Sequence, residues 1–232
     1  MIRLENVTLR YDATEVLSNV SLTVAKEEFV AIVGPSGAGK TTLLNLFSGA
    51  LPPSEGRIER GGKTRMVYQA DGLLPWLTVR KNIALGVREL PANQREARVT
   101  ELLTLVGLAE FAQHFPRQLS GGMRQRAELA RALAGETDVL LLDEPFSALD
   151  YLTRLKLRAE LARLLAERPC TTILVTHDIE EAAQLADRIL VLSERPASIQ
   201  QELVLKAPRP RDVTHPEVVA AIHTILEALG VE

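Results

Sequence analysis

Apolar and polar residues alternate through positions 2–11 and again through 16–24, the period of strands with one buried face. Asp12-Ala13-Thr14 between them predicts a hairpin turn. The pattern then changes. Phe29-Val30-Ala31-Ile32-Val33 is an unbroken apolar run, as expected of a strand covered on both faces. Thr42-Leu43-Leu44-Asn45-Leu46-Phe47 opens a helical period that stops at Gly49. After the breakers of 52–56, two short strands are predicted over 57–60 and 65–69, around Gly61-Gly62. From 71 to 133 the period is helical, cut by Pro75, Pro91, Gly107 and Pro116. That stretch predicts an α-helical subdomain, about 72–133, inserted into an α/β core. The core resumes with the apolar run 139–143, a helix over about 152–167, a strand over 172–176, a helix over 179–186 and a strand over 188–192. Pro208 to Arg211 break the pattern, and a last helix is expected with Thr214 as its cap. Val219, Ile222, Leu226 and Leu229 would share its apolar face, with Gly230 at its end, in a tail of about 207–232. Strands alternating with helices imply an α/β fold with a mostly parallel sheet covered on both faces, plus an antiparallel β subdomain, within a single domain over 1–232.

Composition adds mainly exclusions. The chain has 232 residues, 46% hydrophobic and 25% charged, enough for a large core. A net charge of −3 and a pI near 5.9 supply no global basic field, so a nucleic-acid partner is not expected. The local basic runs, Arg124-Gln125-Arg126 and Arg154-Leu155-Lys156-Leu157-Arg158, read as solvated helix faces. Cys170 stands alone, which excludes a disulfide framework, points to a reducing compartment and reads as a buried, inert thiol. No signal peptide is visible at Met1, and no apolar stretch is long enough to span a bilayer. Any membrane role therefore needs another chain to supply the span.

The chemistry lies at the strand ends. Gly34-Pro35-Ser36-Gly37-Ala38-Gly39-Lys40-Thr41-Thr42 fits the phosphate-binding pattern G-x-x-x-x-G-K-[ST], between an apolar strand and a helix. Glycines let the backbone wrap a polyphosphate with its N–H groups inward, the helix N-terminus adds partial positive charge, and Lys40 adds a full one. Thr41 offers a hydroxyl to Mg²⁺. The run 139–143 ends in Asp143-Glu144, where one carboxylate can reach that Mg²⁺ and its neighbour can polarise an attacking water. In Leu119-Ser120-Gly121-Gly122, a capping serine and bare glycine amides at a helix start offer a second anion-binding element or, taken alone, a glycine-rich turn before an ordinary helix.

Taken together, these residues resemble the ATP-binding subunit of ABC transporters over nearly the whole chain and in the family's order. Gly34 to Thr41 resemble its Walker A loop, Gln69 its Q-loop glutamine and Leu119 to Gln125 its signature. Residues 139–144 resemble Walker B, Ser147-Ala148-Leu149-Asp150 the D-loop, and His177 the switch histidine. Tyr11 stands where the family places a ring that stacks on adenine. The other histidines, His114, His215 and His223, have no such setting and are expected to do no chemistry. The resemblance implies a P-loop NTPase fold of the RecA-like kind and a head-to-tail dimer with ATP between two copies. Each phosphate loop then faces the other copy's Ser120-Gly121-Gly122, and Asp150 of the D-loop-like stretch is a further nucleotide-binding candidate. Lys40, Mg²⁺ on Thr41 and Asp143, and His177 would stabilise the transferring phosphoryl group. Glu144 would orient or deprotonate water, and Gln69 would sense the metal and that water. One departure stands out: the family usually has Gln where this chain has Met123.

Finer features resemble importers. No membrane segment is fused, and Phe115-Pro116-Arg117-Gln118 precedes the signature as in importer subunits. The stretch from Gln69 to Thr78, Met123 and the tail Ala207-Pro208-Arg209-Pro210-Arg211 resemble the nitrate, sulfonate, taurine and bicarbonate importer group. That implies a transmembrane permease as partner, an external solute-binding protein acting through it, and a peripheral place on the cytoplasmic face of the inner membrane. Leu73, Leu74 and Trp76 are candidates for the permease-docking surface or for the subdomain core. A soluble ABC-type ATPase of cofactor assembly and an exporter motor stay open. A small-molecule kinase does not explain Leu119 to Arg126.

Overall fold

In the computed structural model, which describes residues 1–69 and 72–231, the chain runs β1 (Ile2–Tyr11), β2 (Thr14–Val24), β3 (Phe29–Val33), α1 (Lys40–Ser48), β4 (Glu55–Arg60), β5 (Thr64–Val67), α2 (Val79–Ala84), α3 (Ala92–Leu105) and α4 (Gly121–Ala132). It continues with β6 (Val139–Asp143), α5 (Tyr151–Glu167), β7 (Thr171–Val175), α6 (Ile179–Leu185), β8 (Arg188–Leu192), β9 (Ile199–Val204) and α7 (Pro216–Ala228). Ala70 and Asp71, part of the importer-like stretch, lie outside the described residues. The main sheet has the order β5-β6-β7-β3-β8-β9, parallel except for the β8–β9 edge, and β2-β1-β4 form a separate antiparallel sheet. This is the expected mixed α/β architecture.

Strand alternation divides the core in two. Phe29, Ala31 and Val33 face one side of the sheet with Leu140, Leu142, Leu174, Ile189 and Val191. Their neighbours Val30, Ile32, Val139, Leu141, Ile173, Val175, Leu190 and Leu192 face the other. The first side is covered by apolar residues of α2 to α7, among them Ile83, Leu102, Leu129, Leu161 and Ile225. The second is covered by α1 (Leu43, Leu44, Phe47) and by the buried rows of β1 and β2. Being covered on both faces is why these strands are unbroken apolar runs in the sequence.

The structure corrects several expectations. Strand β9 was absent from the sequence reading, because Ile199–Val204 is a largely exposed edge that only pairing with β8 makes a strand. Helix α7 is capped by His215, whose Nδ1 accepts from the Glu217 N–H at 3.2 Å, and not by Thr214. It buries Val218, Ala221 and Ile225, with Ile222 and Leu229 half-buried, while Val219 is exposed. The helix is apolar on much of its circumference, so periodicity alone did not choose the face. It ends at Gly230 as expected, with the Val231 N–H on the Leu226 carbonyl. The basic runs are not simply solvated. Arg158 is buried and pairs with Asp178, Arg154 reaches Asp178 at 2.8 Å, and Arg126 donates to the Val106 carbonyl. Cys170 is half-buried, and burial pushes its thiol pKa up. Among the described residues no helix is long and apolar enough to cross a membrane.

Candidate functional site

Parallel strands place their C-terminal ends along one edge, and the loops leaving that edge carry the chemistry. Gln69 follows β5, Asp143 and Glu144 lie at the end of β6, His177 follows β7, and the phosphate loop follows β3. These loops enclose a cavity of about 610 Å³ lined by Ser36, Gly37, Gly39, Lys40, Thr41, Thr42, Gln69, Glu144, Val175, His177 and Arg195. Of the remaining predicted contacts, Gly34, Pro35 and Ala38 belong to the same loop. Tyr11, Ser120, Gly121, Gly122 and Asp150 do not line the cavity.

Close packing shapes the loop. A Cβ on Gly34 would lie 3.0 Å from the Leu192 carbonyl oxygen, and one on Gly39 would lie 2.8 Å from Val16 Cγ1. Gly39 also takes φ 93°, a left-handed conformation that favours glycine, and it supplies no side-chain cap to α1. The helix thus starts with bare amides aimed at the cavity. Lys40 is mostly buried, and its Nζ donates to the Gly34 and Pro35 carbonyls at 2.7 and 2.8 Å. Burial lowers its pKa, against the opposing pull of Glu144 and Asp143.

Thr41 Oγ1 donates to Asp143 Oδ1 at 3.3 Å. Burial raises the Asp143 pKa, opposed by that hydrogen bond and assisted by the neighbouring charge of Glu144. A hydroxyl and a carboxylate, with Gln69 on the wall of the same cavity, offer an all-oxygen donor set. Such a set fits Mg²⁺, a hard cation that takes few protein ligands and the rest from phosphates and water. A buried carboxylate with one weak partner also gains most from a bound cation.

Glu144 is the most constrained residue of the site. It has φ 49°, an uncommon conformation for a side-chain-bearing residue, costing about 1–2 kcal/mol. The backbone is held there by the Glu144 N–H on the Val175 carbonyl at 2.8 Å. Its own carbonyl accepts from Gln125 Nε2 at 2.9 Å and Ser147 Oγ at 3.0 Å. The carboxylate is bracketed: Gln69 Nε2 donates to Oε2 at 3.2 Å, and His177 Nδ1 lies 3.1 Å from Oε1. The strain aims the carboxylate away from the strand and into the cavity.

The other predicted residues sit elsewhere. Ser120 caps α4 by accepting from the Met123 N–H at 3.3 Å, and Asp150 caps α5 by accepting from the Thr153 N–H at 3.0 Å. Tyr11 is half-exposed at the end of β1, and Trp76 and Leu74 are exposed and half-exposed while Leu73 is buried. Two residues were missed. Gln125, within the signature-like stretch and a run expected to be a solvated face, is buried and ties Glu144 to the Ala148 N–H, an arrangement no local pattern announces. Arg195 lines the cavity from the loop after β8. Its only sequence signal was a cation shortly past a parallel strand.

The profile described as "ABC transporter" matches residues 17–147. The aliphatic sulfonates import ATP-binding protein SsuB 1 of Rhodococcus jostii is 46% identical over 226 residues, covering 95% of this chain and 89% of that protein. The nitrate import ATP-binding protein NrtC of a Synechocystis species is 44% identical over 88% of this chain, which spans 33% of that longer protein. Among solved structures, a dimeric ATP-binding cassette in a post-hydrolysis state with ADP and Pi superposes with a TM-score of 0.81. It is 33% identical, covering 89% of this chain and 100% of that one.

Proposed function

The chain belongs to the ABC transporter family, and from that premise we propose that it is the MgATP-hydrolysing motor subunit of an importer. The observation that carries this reading is the Glu144 carboxylate, held beside the phosphate loop between Gln69 and His177. The bare amides of α1 and Lys40 bind the phosphates, with Lys40 exchanging its two carbonyl partners for phosphate oxygens. Thr41, Asp143 and Gln69 would hold Mg²⁺, which when bound would supply positive charge to the phosphoryl groups in the transition state. Glu144 takes or orients the proton of the attacking water, Gln69 fixes its angle, and His177 is released from Glu144 to reach the γ-phosphoryl oxygens.

We further propose that 1–232 acts as one ATP-binding domain carrying the helical insert of about 72–133 and the tail of about 207–232. Two copies pair head to tail, so that Ser120-Gly121-Gly122 and Asp150 of one complete the site of the other. The dimeric state of the solved cassette supports this pairing. Tyr11 stacks on the adenine. The sulfonate and nitrate import names of the relatives support an importer at the cytoplasmic face of the membrane, partnered with a permease and, through it, a solute-binding protein. They also support a small anion such as an aliphatic sulfonate, nitrate, taurine or bicarbonate as solute. A tagged pull-down from detergent-solubilised membranes of the native host tests this, together with Mg²⁺-dependent phosphate release by the purified chain. A co-purifying multi-span permease is expected. Soluble partners alone would return the chain to cofactor assembly, leaving only the ATP chemistry.

A further inference from the structure

Arg195 lines the phosphate-loop cavity yet belongs to none of the motifs above. Its loop is built against the same two elements that shape the phosphate loop. Leu192, at the loop's start, is the residue a Cβ on Gly34 would strike, and Val16 is the residue a Cβ on Gly39 would strike. Residues 193–198 bridge these two contacts. The Ser193 N–H donates to the Ser198 carbonyl at 3.0 Å, and Ser193 Oγ accepts from the Ser198 N–H at 3.0 Å. The Ala197 N–H donates to the Val16 carbonyl, and the Ser18 N–H donates to the Ala197 carbonyl, both at 2.9 Å. Ala197 is fully buried, whereas Arg195 is exposed at the turn of this anchored loop. Among the described residues its guanidinium makes no hydrogen bond and no ion pair.

Electrostatics gives that unpaired cation a purpose. Lys40 must give up two backbone carbonyls to reach a phosphate, and the Glu144 carboxylate and buried Asp143 oppose an incoming polyanion. A planar guanidinium suits phosphate oxygens because its donors form a fixed fork. Arg195 shares the cavity wall with Ser36 to Thr42 and not with Tyr11, which points to the phosphates and away from the base. Resting on the reading that this cavity holds ATP, we propose that Arg195 is a nucleotide-binding residue whose guanidinium contacts the phosphate chain from the β8 side of the phosphate loop.

Isothermal titration of the full chain with ATP at low and high salt, for wild type, Arg195→Ala and Arg195→Lys, tests the assignment. Arg195→Ala should weaken ATP binding about tenfold at low salt, the scale of one charge-assisted hydrogen bond on an exposed residue. The loss should shrink as salt rises, and Arg195→Lys should recover part of it, since it restores charge without the fork. AMP, which lacks the outer phosphates, should lose less than ATP. Wild-type-like ATP binding by Arg195→Ala would overturn the proposal, as would equal losses for ATP and AMP, or a salt-independent loss that Lys does not relieve. A wild-type chain that binds no ATP would overturn both this assignment and the reading beneath it. Tight wild-type binding with a silent Arg195→Ala would remove this assignment alone.

Discussion

Two helices of this chain begin with glycine-rich, amide-exposing turns, and they differ in everything around those amides. At the start of α1, Gly39 provides no side-chain cap, Lys40 is buried behind the loop, and sheet-edge loops wall off a cavity. At the start of α4, Ser120 satisfies one amide itself, Ser120 and Gly121 are exposed, and none of the three residues lines that cavity. A helix N-terminus attracts an anion in both places. Only the first is also set in a cavity with a buried cation behind it. The second is one wall without a room, the form expected of a surface completed by another molecule. The two are nevertheless joined within one chain, because Gln125 of α4 holds the carbonyl of Glu144.

The largest expected effect breaks the chemistry at the first site and spares binding. Glu144→Gln removes the charge and keeps the shape, so phosphate release should fall by about 10²–10⁴-fold while ATP binding persists. Near-normal turnover in this variant would reassign the base. Lys40→Ala should weaken ATP binding roughly ten- to a hundredfold, because a charge-assisted contact to phosphate is lost at a buried position. If the titration showed no change, the loop amides would be binding alone. Ser120→Ala separates the two helix starts. It should cost about 1 kcal/mol of stability through the lost cap, and it should slow phosphate release at dimer-forming concentrations without changing ATP affinity of the isolated chain. An equal loss of single-chain affinity would place Ser120 in its own copy's site. Tyr11→Ala should weaken ATP by about 1–3 kcal/mol if the ring stacks. Unchanged affinity would make Tyr11 a surface residue of β1.

The smallest effect concerns the support behind His177. Thr176 Oγ1 donates to Glu181 Oε2 at 2.8 Å, and burial raises the Glu181 pKa from 4.5 to about 7. A carboxyl whose folded pKa lies above its unfolded value contributes stability that is fully present below pH 4.5 and lost as pH rises through about 7. Glu181→Gln should therefore flatten the rise in melting temperature on acidification across that window, while the slope of Ser120→Ala stays like wild type. Parallel wild-type and Glu181→Gln profiles would show that another group carries the dependence.

Much of this was legible because it is local. The apolar runs of β3, β6, β7 and β8 are read correctly since being covered on both faces confines polar residues to the strand ends. Gly49 and Gly230 end their helices as expected, because a left-handed residue stops a helix without reference to the rest of the fold. The failures are places where local signals are degenerate. In α7 several apolar faces compete, and packing against α6 and β9 chose Val218, Ala221 and Ile225. In β9 three polar residues in a row interrupt any alternation, and only the edge of β8 makes the segment a strand.

By itself the sequence determined the phosphate loop, the paired carboxylates, the order of strands and helices apart from β9, and the family, since each is a matter of residue type at short, constant spacing. The tertiary structure alone decided which of these pieces share a cavity. Gln69 and His177 meet Glu144 because β5 and β7 flank β6, and Arg195 lines the same cavity as Lys40 because β8 lies beside β3. Such neighbours are far apart along the chain, and sheet order, which hydrophobic packing sets, is what brings them together.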